Sequence, residues 1–136
     1  MRFEDFDVWK VSARLASDLF MTTRDLKDWG FRDQITRAGL SISSNIAEGL
    51  ERESIADCVR FLGIAKGSAA EVRSQLYIGM DIGYINKELG QEWLQTTERI
   101  AGMLTSLIRK KREFATKVGE DNPDYHPHYP ISPLAR

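Results

Sequence analysis

One long stretch of the chain repeats small and apolar residues at alternating steps of three and four positions. The members of this row are Ile55, Cys58, Leu62, Ala65, Ala69, Val72, Leu76 and Gly79. Residues with this spacing line one side of an α-helix, and such a seam packs against neighbouring helices at a crossing angle of about +20°. The preceding Ser54-x-x-Asp57 pattern is typical of a helix start, and Gly83 follows the last member of the row. A helix of this length with one continuous seam predicts a helical bundle.

The rest of the chain predicts three more helices. Apolar residues recur at helical spacing over about 7–23, 31–49 and 86–112. No segment shows the sustained alternation that is typical of a β-strand, and all four prolines follow Asn122, so that none interrupts a helix. We therefore predict an all-α fold, with an antiparallel up-and-down four-helix bundle over residues 1–113 and a proline-rich, extended C-terminal tail over residues 114–136.

Three expected helix boundaries depend on single residues. Asp7 has the side chain of an N-cap for the first helix, and Asn86 has that of an N-cap for the last one. Gly49 is expected to end the second helix in a left-handed conformation, which glycine adopts at little cost. The last helix is expected to fray after Arg112.

Composition limits the class of protein rather than its activity. A chain of 136 residues is long enough for one domain with a modest core. The single cysteine, Cys58, excludes an intrachain disulfide and fits a reducing compartment, and the N-terminus lacks the apolar region of a signal peptide. We therefore expect a cytoplasmic protein. The net charge of −1 argues against a nucleic-acid footprint over the whole surface, although not against a local basic patch.

A polar row runs beside the apolar face of the second helix. Its members are Gln34, Arg37, Ser41, Asn45 and Glu48, with Arg52 and Glu71 as candidate partners. Arginine offers a planar fork to a carboxylate and asparagine both donates and accepts, so the row predicts a structural hydrogen-bond network inside the bundle or at a subunit contact. A binding pocket for a small molecule is the alternative. Because the row has no histidine and no strong nucleophile beside a base, we expect neither catalysis nor a cofactor.

Small residues interrupt the third helix. Gly63, Gly67 and Ser68 stand in its middle, where each glycine costs about 1 kcal/mol relative to alanine. The spacing favours close approach of another backbone, with Ser41, Ser44 and Ala47 of the second helix small enough to be the partner surface. A ligand lying against the glycines is the alternative interpretation.

A compact basic block closes the last helix. Its residues are Arg109, Lys110, Lys111 and Arg112. Cations suit the negative end of a helix dipole, which is the structural explanation, whereas contact with nucleic-acid phosphates is the functional one. In a ring of identical subunits this block would be repeated.

The only histidines, His126 and His128, lie in the proline-rich tail. The Asp124-x-His126-x-His128 pattern has ligands for a metal ion but no further preorganised partner, so we predict no metal site and favour an extended arm that contacts the bundle or a neighbouring molecule.

Two motifs in the second and third helices resemble a known family. They are Gln34-x-x-Arg37-Ala38-x-x-Ser41-Ile42-x-x-Asn45-Ile46-Ala47-Glu48-Gly49-x-x-Arg52 and Phe61-Leu62-x-Ile64-Ala65-x-Gly67-Ser68-x-x-Glu71. The chain resembles the bacterial four-helix bundle proteins also called S23, or 23S ribosomal RNA intervening-sequence, proteins. The resemblance spans about residues 3–112 and leaves out the tail from about Glu113.

This resemblance implies an antiparallel four-helix bundle that assembles into a ring-like homopentamer. Some family members are encoded within insertions in large ribosomal RNA genes, and nucleic-acid binding is an inference for the family. The accessory protein of diversity-generating retroelements is a distant relative that resembles a pentameric barrel contacting a reverse transcriptase and nucleic acid. The family supplies no catalytic residues to transfer to this chain.

The chain departs from these relatives at two points. Ser43 stands where the family often has proline, so we expect no kink there. The net charge is close to neutral, unlike that of the strongly basic retroelement protein.

We therefore expect a non-enzymatic, oligomeric bundle that binds structured RNA or DNA through the basic block. The alternative is a scaffold or accessory protein whose partner is another protein. A small-molecule site around Arg37, Asn45 and Glu48 is a third hypothesis.

Overall fold

In a computed structural model, residues 1–119 of the protein are described, and they form four α-helices after one short 3₁₀ turn. The helices are α1 (Asp7–Thr23), α2 (Trp29–Leu50), α3 (Ile55–Asp81) and α4 (Lys87–Val118). Each helix packs against the next one along the chain, and α1 also lies beside α4, more loosely than the other neighbours do. This arrangement confirms the all-α four-helix bundle.

Side chains cap three of the four helices. The Asp28 carboxylate accepts from the N–H of Phe31 at the start of α2 (3.2 Å), and the Ser54 hydroxyl accepts from the N–H of Asp57 at the start of α3 (3.2 Å). The Asn86 amide oxygen accepts from two N–H groups in the first turn of α4. These hydrogen bonds confirm the predicted caps at Ser54 and Asn86. Each cap accepts from a backbone N–H group that has no partner within the helix itself.

The core consists of the apolar rows read from the sequence. All eight members of the row on α3 are buried, and so are Trp93, Thr97, Ile100 and Leu104 of α4. The largest fully buried side chain is that of Phe61, which is also on α3. Among the described residues 1–119, no helix is long and apolar enough to cross a membrane.

Three predicted boundaries are wrong. The N-cap of α1 is Phe6, and Asp7 is the first helical residue, where its carboxylate still interacts favourably with the helix dipole. Gly49 does not end α2, since the helix continues to Leu50 and Gly49 keeps a negative φ. The last helix does not fray after Arg112 but continues to Val118.

A buried alanine explains why α4 extends past Arg112, and a glycine explains where the helix ends. Ala115 is buried, so the apolar row of α4 continues, and Gly119 ends the helix with φ +77° and donates its N–H to the carbonyls of Ala115 and Thr116. The boundary expected between residues 113 and 114 therefore falls inside α4. Residues 120–136, which hold most of the predicted tail together with His126 and His128, lie outside the described part of the chain.

Candidate nucleic-acid interface

An open groove between α3 and α4 brings two residues of the basic block together with a cation from another helix. The groove has a volume of about 510 Å³, and Lys66 of α3 faces Arg109 and Arg112 of α4 across it. The remaining lining residues are Val59, Gly63, Thr105, Ile108, Glu113 and Thr116. We call this surface the α3/α4 groove.

The three cations of the α3/α4 groove are accessible. Lys66 and Arg112 are exposed and form no ion pair with another residue of the segment 1–119. Arg109 lies 3.9 Å from Glu113, a pair whose side chains are about two-thirds exposed and which contributes little to stability for that reason. Three positive charges against one carboxylate leave the groove with a net positive potential that favours an anionic ligand.

The basic block does not act as one patch. Arg109 and Arg112 are three positions apart and therefore share the side of α4 that faces α3. Lys110 lies on the other side of α4, in a hollow next to Phe6 and Val8. Lys111 is half-buried on the core side, between the buried Ile108 and Ala115. The structure thus assigns two of the four predicted cations to the groove.

Gly63 lines this groove without a side chain, so that the groove stays open at this position. A Cβ added at Gly63 or at Gly67 would meet no atom within 4 Å, and both residues are exposed. The predicted close approach of another backbone at these two glycines within the bundle is therefore wrong. Gly49 does allow close packing against α3, since its added Cβ would lie 2.9 Å from Cβ of Phe61 and 3.1 Å from the Cys58 carbonyl oxygen.

The predicted polar network is present in part. Ser41 shares a 2.8 Å hydrogen bond with Ser68, and the Asn45 amide donates to the Ser41 carbonyl (2.8 Å) and hydroxyl (3.0 Å). These three residues join α2 to α3 through hydrogen bonds. Gln34, Arg37 and Glu71 are exposed, and their side chains make no hydrogen bond or ion pair with other residues of 1–119.

The other end of the row forms a separate charged cluster. Arg52 pairs with Glu48 and lies 4.0 Å from the buried Asp57, which is also bound by Arg60 at 3.1 Å. Both guanidinium groups lie over the Phe61 ring, 4.8 and 4.7 Å from its centroid. This cluster stabilises the connection between α2 and α3. Arg37, Asn45 and Glu48, which were proposed to form a small-molecule site, do not line a common pocket.

A second tie joins the two connections at one end of the bundle. The Tyr84 hydroxyl donates to Asp28 (2.9 Å), and the Tyr84 ring meets the ring of Phe31 edge-on at 5.3 Å between centroids. The backbone N–H of Phe31, and then the Tyr84 hydroxyl, hold the pKa of Asp28 below its usual range, and the hydrogen bond to Asp28 raises the pKa of Tyr84.

Reactive groups are sparse in the described residues. Cys58 is buried in the core, and no three His, Cys, Asp or Glu side chains among residues 1–119 come close enough to hold a metal ion.

A sequence model of the 23S rRNA-intervening sequence protein family matches residues 4–106. The chain belongs to this family. It is also similar to a crystal structure of a protein of unknown function from the S23 ribosomal protein family of Bacteroides thetaiotaomicron VPI-5482, with 28% sequence identity and a TM-score of 0.70. The similarity covers 74% of this chain and 97% of that protein. A comparison with curated proteins gave no match.

The family match places the α3/α4 groove at the edge of what the members share. The matched residues include Lys66, whereas Arg109 and Arg112 follow the last matched residue, 106. Sequence reasoning missed Lys66 because this lysine does not belong to a run of charge along the chain. The signal was present in its spacing, since Val59, Gly63 and Lys66 lie on one side of α3, turned away from the apolar row.

Proposed function

We propose that this 23S rRNA-intervening sequence protein is a non-enzymatic, cytoplasmic bundle that binds structured RNA or DNA through the α3/α4 groove. The observation that supports the proposal is the convergence of Lys66, Arg109 and Arg112 from two helices on one open groove, with two of the three cations unpaired within residues 1–119. Clustered cations that outnumber their acidic partners suit phosphate oxygens, because most of their positive charge is not already neutralised.

Self-association would strengthen such binding. The resemblance to the family implies a homo-oligomer, and we propose a pentamer, in which five grooves act on one nucleic acid. Large apolar side chains on the monomer surface fit a protein that buries more surface on assembly, and Met21, Trp29, Tyr77, Ile78 and Ile82 are each at least half exposed. Sedimentation equilibrium at several protein concentrations measures the subunit number.

The groove is tested by fluorescence-anisotropy titrations against a structured RNA and a duplex DNA at several salt concentrations. The variant carries Lys66→Ala, Arg109→Ala and Arg112→Ala. The matched control removes three exposed cations that lie outside the groove, with Arg24→Ala, Lys27→Ala and Lys87→Ala. We expect the control to bind like the wild type and the groove variant to bind more weakly. The log–log salt dependence of the groove variant should be shallower by about 0.7–0.9 for each phosphate that it no longer neutralises.

Two results would contradict the proposal. One is the absence of binding by the wild-type protein even at low salt, and the other is equal weakening by the groove variant and the control. The first result would leave a protein partner as the alternative, to be sought by co-purification with tagged protein. The second would mean that binding does not depend on the α3/α4 groove.

A further inference from the structure

A second set of cations lies along the junction of α1 and α4. Lys110 lies in a hollow of about 290 Å³ between α1 and α4. Further along the same junction, a hollow of about 340 Å³ is lined by Lys10 and Arg14 of α1 and by Arg99 of α4. We call these four cations the α1/α4 row. Arg99 and Lys110 lie on the flank of α4 towards α1, whereas the α3/α4 groove lies on its other flank.

Interactions within the bundle do not explain the α1/α4 row. None of its four cations forms an ion pair with another residue of 1–119, although Asp18 and Glu92 line the same hollow as Arg14 and Arg99. Lys10 and Arg14 are also four positions apart on one helix, a spacing at which like charges repel. Positive charge that is not paired within the bundle favours an anionic ligand.

The outward side of α4, between the two rows, carries small and neutral residues. Gln95 and Gly102 are exposed, Ser106 is half-buried, and a Cβ added at Gly102 would meet no atom within 4 Å. Carboxylates lie towards the two ends of this side, because Glu88 and Glu113 are seven positions from Gln95 and Ser106. Glu113 lies 3.9 Å from Arg109, and Glu98, at the edge towards α3, lies 3.4 Å from Arg73. The middle of the outward side, around Gly102, is thus a low ridge without carboxylates and with positive charge on its two flanks.

The width of this ridge matches a dimension of duplex DNA. An α-helix with its side chains is about 10–12 Å across, and the major groove of B-form DNA is about 12 Å wide. A helix in that groove has one phosphate backbone on each flank. The major groove of A-form RNA is deep and narrow and does not admit a helix.

We propose that bound nucleic acid straddles α4, with one phosphate backbone on Lys66, Arg109 and Arg112 and the other on the α1/α4 row. The preferred ligand is duplex DNA, whose major groove faces Gln95, Gly102 and Ser106. This inference rests on the proposed function, and it adds a second set of contacts and a choice between duplex DNA and duplex RNA.

The test uses the full chain and three probes of one sequence, a duplex DNA, a duplex RNA and a single-stranded DNA. The variant carries Lys10→Ala, Arg14→Ala and Arg99→Ala, and the control carries the Arg24, Lys27 and Lys87 substitutions to alanine. We expect the wild type to bind the duplex DNA most tightly. The row variant is expected to bind it more weakly, with a salt slope reduced by up to about 2.7, whereas the control is unchanged. A second variant, Arg14→Lys with Arg99→Lys, keeps the charge and is expected to retain the salt slope.

The outcomes separate the two proposals. If the Lys66/Arg109/Arg112 variant loses affinity while the row variant binds like the wild type, the second row is refuted and the proposed function stands. Tighter binding of duplex RNA or single-stranded DNA than of duplex DNA refutes the placement of α4 in a major groove. A wild-type protein that binds none of the probes at low salt refutes both proposals. Circular dichroism of each variant shows whether it is folded, and a row variant that has lost helicity is replaced by the single substitutions.

Discussion

The two sides of α3 use small residues in opposite ways. On the side towards α2, Gly49 lies so close to α3 that an added Cβ would come within 2.9 Å of Phe61, and Ser41 shares a hydrogen bond with Ser68. On the side towards α4, Gly63 borders an open groove with nothing within 4 Å of an added Cβ. Small residues thus permit backbone contact on one side and leave a charged groove open on the other.

The difference shows that a glycine within a helix has no single meaning. A glycine destabilises a helix, and close packing offsets this cost only where the glycine faces a neighbouring backbone, as Gly49 does. No packing within the bundle offsets the cost of Gly63. This glycine lines the α3/α4 groove with Lys66, where the missing side chain leaves space for a ligand. The α2 side of α3 is therefore expected to determine stability, and the α4 side to determine binding.

The largest effect on stability is expected for Gly49→Ala. Its new methyl group would overlap Phe61 and the Cys58 carbonyl, and overpacking of this kind costs about 1–3 kcal/mol. Chemical denaturation followed by circular dichroism measures the change in the free energy of unfolding. A variant as stable as the wild type would show that α2 and α3 separate easily, and would break the contrast between the two sides of α3.

A smaller loss is expected for Asn45→Leu. The substitution removes two hydrogen bonds to Ser41, and a half-buried hydrogen bond contributes about 1 kcal/mol, so we expect a loss of about 1–2 kcal/mol. Ser44→Ala is the control, since Ser44 is an exposed neighbour on the same helix. Equal melting temperatures for Asn45→Leu and the wild type would exclude a structural role for the polar row.

Gly63→Ala is expected to change stability in the other direction. The position is helical and open, so alanine should stabilise the protein by about 0.5–1 kcal/mol through helix propensity alone. Thermal denaturation of the dilute protein measures this gain. Destabilisation would mean that another surface, for example that of a second subunit, packs against Gly63, and the α4 side would then also depend on close approach.

The smallest effect on the free energy of unfolding is expected from a change of pH. It acts through the Asp28–Tyr84 hydrogen bond at one end of the bundle. Because folding lowers the pKa of Asp28, its contribution is complete above the pKa of the unfolded chain, near 3.8, and is lost as the pH falls through the folded value. Because folding raises the pKa of Tyr84, its contribution is complete below about 10 and is lost as the pH rises through the folded value. In denaturation experiments between pH 2 and 11, Tyr84→Phe should remove the alkaline dependence and reduce the acidic one, because the Phe31 N–H still lowers the pKa of Asp28. An unchanged pH profile in this variant would show that the hydrogen bond is not formed in solution.

Local patterns predicted much of the fold. The row from Ile55 to Gly79 is buried throughout, and Ser54 and Asn86 cap the helices that they were expected to cap. These features depend on residues close together in the sequence, so a one-dimensional reading contains them. The end of α4 was missed because the run of charges at 109–112 masked the next buried residue, Ala115.

The candidate site was only half predictable. The basic block was visible as a run of charge, but its division between two sides of α4 follows from helical geometry, and the addition of Lys66, Lys10, Arg14 and Arg99 follows from which helices are neighbours. The polar row was visible too, yet Arg37 and Glu71 remain exposed while Asp57 and Arg60 join Arg52.

The sequence by itself determined the helices, the buried rows and the family, because periodicity and capping act between residues a few positions apart. Only the tertiary structure decided which small residues touch and which cations meet. Those outcomes depend on the angular position of each side chain and on the distance between helices far apart in the chain. A glycine or a lysine reads the same in the sequence whether it faces a backbone or an open groove.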